Sequence, residues 1–529
     1  MLMNLRIKLV LTAFLPKTAN THFAARLSIL LCLTAVMFIN VQSLQAGTPE
    51  YGGTITFVGE VEAMGFDAIK TRSLIGTGRL VGSSVMERLF ERGSGGQLIP
   101  KLGLSATSSE DGKVWSIKLR QGVRFHDGTP FNADAVVKHW HRLLDPDNRF
   151  RGRLLLRPIL SVEKVADDEV RFTLEHPWLP FMAFLTDPVR FSALIPSPKA
   201  VQEGTHHRAP VGTGPFMLKE WKSGDKIKLT KNIDYWQKGK PYLDEIVFRS
   251  IPDHESRYAA LTSGQADVML TDRPSHVTKL VQDPNFTTYP VNWRGAGILT
   301  LNNTKPPLND KRVRRALAMA WDQKKYIRTS FKDILPSTEH WFGDALDCSD
   351  INSHSVDLDE ARALITEYGE TVELEYTHTA TIRGYEAGVI LQQMLKPIGV
   401  KINPTPSDYP GILNKLINKD YDITSWVIPG AYDMGPITLA ILHSKSPWNV
   451  TGYENAEVDQ LLLSLQLITD PQKKAEWLCA ITRKVNADVP FLYMFGRTYY
   501  AFARKKVKNI LLPALGEEGL HLSDAWIGK

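Results

Sequence analysis

The clearest pattern of apolar and polar positions lies between Trp115 and Leu144, which reads WSIKLRQGVRFHDGTPFNADAVVKHWHRLL. Apolar residues first alternate with polar ones, the period of a half-buried strand. His126-Asp127-Gly128 then supplies turn residues, and Asn132 is placed to cap a helix. Apolar residues next recur at helical spacing until Asp145-Pro146 ends the run. We therefore predict a strand, a turn and a capped helix, with the apolar side chains in a core.

Strand and helix patterns alternate along the rest of the chain, which predicts an α/β fold. The predicted strands are Thr54–Val58, the segments around Ile227 and Leu229 and around Ile246 and Phe248, Ala266–Leu270, Val372–Tyr376 and Phe491–Met494. The predicted helices run from a cap at Asp253 to Leu261, around Val313 and Leu317, from Asp359 to Glu367, around Leu391, and over Leu461–Leu465 and Ala475–Val485.

The segment Lys118–Phe131 closely resembles the K-L-R-x-G-V-x-F-H-D-G-x-P-F pattern of the family 5 extracellular solute-binding proteins, the dipeptide, oligopeptide and nickel receptors of ABC importers. Further blocks similar to this family are Val211–Phe248, Leu301–Trp321, Gly452–Leu463 and Asp488–Tyr493. The resemblance covers nearly all of the chain after its leader. It implies a solute receptor that works with an ABC permease and its cytoplasmic ATPase, and not an enzyme.

The resemblance also implies a two-lobed α/β fold with an interlobe ligand cleft, a hinge of two crossings and an additional subdomain in the first lobe. A chain of 529 residues exceeds what one hydrophobic core usually organises. We expect lobe one to combine 47–80, 211–290 and 496–529, with the subdomain at 81–210 and lobe two at 291–495. The crossings are then expected near Pro290-Val291 and Phe495-Gly496.

The first 46 residues read as a secretory signal. Basic residues up to Arg26 precede an apolar run from Leu27 to Val41, and Ser43-Leu44-Gln45-Ala46 offers a cleavage site. At about 15 residues the run is short for a membrane span, which favours cleavage and a periplasmic protein. A start further downstream and an uncleaved anchor are the alternatives. Removing the four leader cations reduces the formal charge from +6 to +2, too little to indicate nucleic acid as a partner.

Two cysteines, Cys348 and Cys479, follow the leader. In an oxidising periplasm they form either one disulfide or two separate buried thiols, because sequence gives no distance between them. No zinc-type spacing is present. The histidine pairs at 139 and 141 and at 206 and 207 point apart, so we expect no metal and no cofactor.

The candidate ligand segment is Trp426–Pro436, WVIPGAYDMGP. In peptide receptors of the resembled family, a similar W-x-x-D segment provides the aspartate that pairs with the peptide's amino terminus. Pro429 stands at that place here, so Asp433 is the candidate substitute, against the alternative of a turn or helix cap. Trp426 and Tyr432 are candidates to wall in the ligand, and for Trp426 a plain core position is the alternative.

Three further ligand candidates are Arg383, Trp293 and Arg294. Dipeptide receptors carry an arginine for the ligand's carboxylate in the region of Thr377–Arg383, and Arg383 lies a few residues away from that place. For Arg383 the alternative is an exposed arginine that opens a helix. For Trp293 and Arg294 the alternative is a tryptophan packed at the hinge beside a solvated arginine. These departures leave room for modified peptides, opines, glycosides or metal chelates beside a standard dipeptide.

Two other functional classes stay open at this level. A secreted hydrolase would need a reactive constellation, and neither GxSxG nor a P-loop is present, while Asp267 and Asp433 have no spacing that supports a catalytic pair. A sensor that reports ligand occupancy to a membrane signalling partner is the third class. The hypothesis that best fits the sequence is a monomeric periplasmic receptor for a short peptide or another small solute.

Overall fold

The structure is a computed structural model that describes residues 48–71, 77–92, 98–150, 152–178, 180–186, 193–342, 346, 348, 351, 355–430, 433–468, 470–510 and 522–528. Its strands are β1 Thr54–Gly59, β2 Phe90–Arg92, β3 Leu98–Pro100, β4 Gly103–Ser108, β5 Val114–Leu119, β6 Ile159–Ala166, β7 Glu169–Leu174, β8 Phe216–Lys222, β9 Lys226–Lys231, β10 Glu245–Ser250, β11 Val268–Thr271, β12 Phe286–Leu301, β13 Glu373–Thr379, β14 Lys401–Ser407, β15 Ile423–Pro429, β16 Phe491–Arg504, β17 Val507–Lys508 and β18 Trp526–Ile527.

Helices alternate with these strands. They are α1 Thr77–Val85, α2 Ala133–Leu144, α3 Arg153–Leu156, α4 Pro180–Leu185, α5 Pro198–Gln202, α6 His254–Ser263, α7 Pro274–Gln282, α8 Lys311–Ala320, α9 Gln323–Phe331, α10 Leu358–Tyr368, α11 Ile382–Leu395, α12 Tyr409–Asn418, α13 Met434–Leu442, α14 Ala456–Leu465 and α15 Pro471–Asp488. The predicted α/β alternation is confirmed. Within the described ranges, no helix has the length and apolarity to cross a bilayer.

Ten strands of the described chain form one sheet in the order β14-β13-β15-β12-β16-β11-β1-β10-β9-β8. We call β11, β1, β10, β9 and β8 the first half-sheet, and β15, β13 and β14 the second half-sheet. β1 is parallel to β10 and β11, and β13 is parallel to β14 and β15. Parallel strands of this kind are buried and need helices as crossovers, which explains the alternating pattern of the sequence.

The antiparallel strands β12 and β16 join the two half-sheets. Residues 286–292 of β12 pair with 498–504 of β16, and residues 296–300 pair with 491–496, with a register shift between Asn292 and Ala296. Both expected crossings lie at or next to this shift. The strand predicted at Phe491–Met494 is confirmed, and β16 continues beyond it through Gly496 to Arg504. The domain boundaries expected from the sequence stay a prediction.

The strand, turn and helix predicted between Trp115 and Leu144 are confirmed as β5, a turn and α2. The Asn132 side chain accepts a hydrogen bond from the Ala135 amide and caps α2. β5 lies in an antiparallel sheet with the order β4-β5-β7-β6, and Trp140 of α2 is 1% exposed in its core. His126 Nε2 lies 2.9 Å from the Gly214 carbonyl oxygen, which attaches the turn to the segment before β8.

Two contacts tie distant parts of the chain together. Cys348 and Cys479 form a disulfide with their Cα atoms 5.8 Å apart, so the bridged alternative holds in the structure. Ala440 of α13 joins the core cluster of the β4-β5-β7-β6 sheet, and Trp448 packs against that cluster. The polypeptide between β15 and β16 therefore also contacts the core of the β4-β5-β7-β6 sheet.

Candidate ligand site between the half-sheets

The carboxyl ends of the parallel strands in the two half-sheets face each other across the joining strands β12 and β16. β11 ends at Thr271, which pairs with Tyr500 of β16, and β15 ends at Pro429, which pairs with Gly295 of β12. Both ends lie beside the register shift that joins the half-sheets. Open α/β sheets bind ligands outside the carboxyl ends of their parallel strands, so the region between the half-sheets is the candidate site.

Charged side chains occupy the carboxyl ends of β1 and β11. Glu60 directly follows β1, and Asp272 directly follows β11. Arg257 Nη2 lies 3.3 Å from Glu60 Oε2, and its Nη1 donates at 2.6 Å to the carbonyl oxygen of Ile251. Arg257 and Asp272 are each 4% exposed, whereas the Glu60 side chain is 47% exposed. This edge therefore holds buried charges together with one accessible carboxylate.

Arg383 extends from the second half-sheet to this edge. It lies in the first turn of α11, after a cap at Thr381, and its Nη1 donates to Asp272 Oδ2 at 2.6 Å while its Nη2 donates to Asp272 Oδ1. Burial alone raises the pKa of Asp272, but the charge and hydrogen bonds of Arg383 outweigh it and hold that pKa below its usual value. The sequence-predicted arginine thus meets a buried carboxylate of the other half-sheet.

A second ion pair lies next to the first, with the positive charge after β11 and the negative charge on α11. Arg273 Nη1 lies 3.2 Å from Glu386 Oε2, which is one helical turn beyond Arg383 on α11. The Glu386 side chain is 50% exposed, so water and salt screen this pair more strongly than the Asp272–Arg383 pair. Sequence analysis missed Asp272 and Arg273, although an acidic residue directly after a buried strand was a usable signal.

Asp433 lies four residues beyond β15 and caps α13. Its Oδ1 accepts a hydrogen bond from the Gly435 amide at 2.9 Å, and its Oδ2 lies 2.8 Å from Lys474 Nζ on α15. Both side chains are 14% exposed. The helix-cap alternative that the sequence left open is therefore present, and the carboxylate already has a cationic partner. Lys474 was missed because it lies 41 positions away along the chain.

Trp426 lies in the middle of β15, where it pairs with Ile298 of β12. Its ring is nearly parallel to that of Tyr409 in α12, with centroids 6.0 Å apart and planes at 20°. The side chain is half-buried and packs against two apolar clusters, so part of its surface is accessible. It combines the core role and the exposed face that the sequence posed as alternatives.

The remaining predicted ligand residues cannot be placed by their side chains. Trp293 and Arg294 lie in β12 within the register shift, but their side chains are outside the described part of the structure. Tyr432 also lies outside the described residues. Arg383, Asp433 and Trp426 all belong to segments that follow or form the parallel strands β13 and β15, so they share the second half-sheet.

The described residues contain no group of three His, Cys, Asp or Glu side chains arranged to hold a metal ion. The histidines that first suggest a metal are used in packing. His206 is 2% exposed and its Nε2 lies 3.1 Å from the Phe66 carbonyl oxygen, while His141 Nε2 lies 2.8 Å from that of Val162. These side chains join α2 and the segment after α5 to neighbouring backbone.

Residues 97–449 match the model of the bacterial extracellular solute-binding proteins, family 5. The chain belongs to this family. The di/tripeptide-binding protein 2 of Pseudomonas aeruginosa strain UCBPP-PA14 is 29% identical over 452 residues, covering 78% of this chain and 84% of that protein. The glutathione-binding protein GsiB of Pectobacterium atrosepticum is 28% identical over 449 residues, covering 81% and 86%. These relatives are named as binding proteins, in line with the expectation of a receptor.

Solved structures of other binding proteins share the fold. The periplasmic binding protein DppA of Helicobacter pylori, in complex with the peptide STSA, has a TM-score of 0.84 at 24% identity and covers 91% of this chain and 99% of its own. AgaA from A. tumefacien R10, in complex with agropinic acid, has a TM-score of 0.81 at 24% identity, covering 90% and 99%. The expected two-lobed fold is confirmed, and the family implies a peptide or small-molecule ligand and an ABC permease partner.

Proposed function

We propose that this chain captures a peptide or peptide-like solute between its two half-sheets and delivers it to an ABC permease with a cytoplasmic ATPase. The single observation that carries the proposal is the pair of facing carboxyl ends beside the shared strands β12 and β16. The di/tripeptide and glutathione receptors among its relatives support the ligand class. We further propose a monomer that reaches the periplasm through cleavage of the signal expected at residues 1–46.

Closure of the lobes provides both the affinity for the ligand and the conformation that the permease recognises. A ligand that contacts both half-sheets binds the closed form more tightly, so it increases the population of that form. The permease then recognises the closed form. Closure also excludes water, and a ligand that lacks the matching polar groups leaves buried charges unpaired, which lowers its affinity strongly.

The proposed ligand residues are Trp426, Tyr432, Asp433, Arg383, Trp293 and Arg294. Two of them already have internal partners: a ligand amine would have to compete with Lys474 for Asp433, whereas Arg383 would bind a ligand carboxylate through its remaining N–H groups while it stays paired with Asp272. This competition disfavours a simple zwitterionic dipeptide relative to a ligand that adds contacts elsewhere. Trp426, with an accessible face, is suited to pack against an apolar or planar part of the ligand.

A second ligand class has its own support. Pro429 occupies the place where the peptide receptors of the resembled family carry the amine-binding aspartate. A structural neighbour holds agropinic acid, and NikA from Brucella suis, with a TM-score of 0.76 at 21% identity, holds Fe(III)-EDTA. An opine-like solute or a metal chelate, bound as a whole, is therefore the alternative on the same fold.

Thermal unfolding with a panel of solutes tests the proposal. The panel contains Ala-Ala, tri-alanine, glutathione, agropinic acid and Fe(III)-EDTA, with N-acetylated and C-amidated Ala-Ala as matched controls for the two termini. A bound ligand at about 100 times its Kd stabilises the folded state by about 2.7 kcal/mol. We expect stabilisation by at least one peptide. Stabilisation by agropinic acid or the chelate alone would replace the peptide with the second ligand class.

A further inference from the structure

We propose that Asp272 is a positioning residue that fixes Arg383 across the lobe junction, and that this pair latches the two half-sheets together with or without a ligand. The inference rests on the proposed function, because it concerns the closure that solute binding uses. It adds a residue that sets solute affinity through Arg383, from a buried position at the end of β11.

The geometry of the pair supports a latch. The bidentate contact uses both terminal guanidinium nitrogens and both carboxylate oxygens, the arrangement that fixes orientation as well as distance. β11 pairs with β1 and β16, whereas α11 follows β13 of the second half-sheet. No backbone hydrogen bond joins β11 to β13 within the described sheet, so the ion pair is a contact that opening of the lobes would break.

Surrounding groups keep Arg383 in place. Its guanidinium carbon lies 5.5 Å from the centroid of the Phe331 ring, and Phe331 packs against Phe495 of β16 with centroids 5.1 Å apart. The Glu60 carboxylate adds negative potential around the guanidinium. The latch thus lies next to β16, one of the two strands that join the half-sheets.

Closed-state population links the latch to affinity. When only the closed form binds the ligand tightly, the apparent Kd equals the closed-state Kd divided by the fraction of closed protein. Loss of the latch lowers that fraction and raises the apparent Kd. The Arg273–Glu386 pair adds a salt-sensitive contribution, since Glu386 is half exposed. Salt should weaken the Asp272–Arg383 pair less, because Asp272 is buried and the Arg383 side chain is only 28% exposed.

The test combines small-angle X-ray scattering of ligand-free protein with calorimetric titration of a peptide that stabilises the wild type. The variants are D272N and R383Q, which remove the latch from opposite sides, and the double variant D272N/R383Q. The control is D67N, because Asp67 accepts two hydrogen bonds from Arg142 at 3.0 and 2.8 Å in another buried ion pair. The control changes the charge of a buried pair without touching the lobe junction.

We expect both single variants and the double variant to have a larger radius of gyration than wild type without ligand, and a Kd raised roughly tenfold. The double variant should be no more open than either single one, because each already removes the same contact. D67N should stay as compact as wild type. An unchanged radius of gyration in D272N and R383Q would overturn the latch. A wild type that binds no solute would instead overturn the proposed function, and the scattering of the ligand-free variants would still test the latch.

Discussion

Lys474 Nζ lies 2.8 Å from Asp433 Oδ2, so the lysine ammonium group already pairs with the carboxylate that we propose binds a ligand amine. The same carboxylate caps α13 through the Gly435 amide. One aspartate thus serves a helix end and an ion pair. Any contribution to ligand binding has to be separated from both.

The D433N variant makes that separation. Asn retains the cap but removes the charge that pairs with Lys474, so we expect D433N to lose the ion pair alone, and an amine-bearing ligand to bind roughly tenfold more weakly. D433A also loses the cap and is expected to cost about 1 kcal/mol more in unfolding free energy. Titration calorimetry and urea unfolding of both variants provide the measurements, and equal affinity of D433N and wild type would exclude Asp433 as the amine partner.

K474M tests the same carboxylate from the other side. Removing the lysine leaves the Asp433 charge available, so an amine-bearing ligand is expected to bind more tightly than to wild type. N-acetyl-Ala-Ala, which has no amine, should show no such gain. The comparison of the two peptides by calorimetry checks the prediction, and a gain for both would mean that Lys474 acts on affinity by a route other than the ligand amine.

The disulfide between Cys348 and Cys479 is expected to contribute strongly to stability. It closes a loop over a sequence separation of 131 residues, and cross-links of that span restrict the unfolded chain by roughly 2–5 kcal/mol. The C348S/C479S variant should therefore unfold at lower urea than the oxidised wild type. Reductant is expected to lower the stability of wild type and leave the variant unchanged, and a wild type indifferent to reductant would contradict the bridge.

Acid is expected to destabilise the protein between about pH 6.5 and pH 4. Burial lowers the pKa of His126 and of His206 to about 4. The unfolded chain binds these protons from about pH 6.5 downward while the folded chain does not, so stability falls across that window and levels off below it. Asp67, beside His206, has a pKa below its usual value and titrates lower still.

The H206Q variant isolates one of these groups. Gln keeps an N–H donor for the Phe66 carbonyl oxygen but does not titrate in this window. Between pH 7 and pH 5, the variant is expected to lose about 2 kcal/mol less unfolding free energy than wild type. Urea unfolding at the two pH values measures the difference, and parallel losses in both proteins would show that His206 does not carry the effect.

The Asn132 cap tests whether the most recognisable segment of the sequence is structural. N132A should lower the free energy of unfolding by about 1 kcal/mol, because α2 loses the acceptor of the Ala135 amide. N132D retains a capping oxygen and should stay close to wild type. Solute affinity should not change in either variant. A loss of affinity in N132A at temperatures well below its unfolding transition would instead connect this segment to the ligand.

Local patterns predicted the elements of the fold well, and for a physical reason. Asn132, Asp253 and Gly264 cap their helices through contacts within a few residues, which sequence spacing encodes directly. The strand at Phe491 was predicted too short because Gly496 interrupts its apolar run. The pairing with β12, 200 residues away in places, carries the strand on to Arg504.

The candidate site was less predictable because its contacts join distant segments. Arg383 and Asp433 were identified as candidates, but their partners Asp272 and Lys474 lie 111 and 41 positions away. No periodicity relates residues so far apart. Likewise, the cysteines at 348 and 479 were consistent with both a bridge and separate thiols until the structure brought their Cα atoms to 5.8 Å.

Native mass spectrometry, after incubation of the mature protein with a library of di- and tripeptides, tests the central claim most directly. A closed interlobe site retains its ligand during gentle ionisation. We predict a complex whose mass exceeds that of the chain by one short peptide and that loses this mass on denaturation. A spectrum with only the free chain across the whole library would contradict the claim that a peptide is captured between the half-sheets.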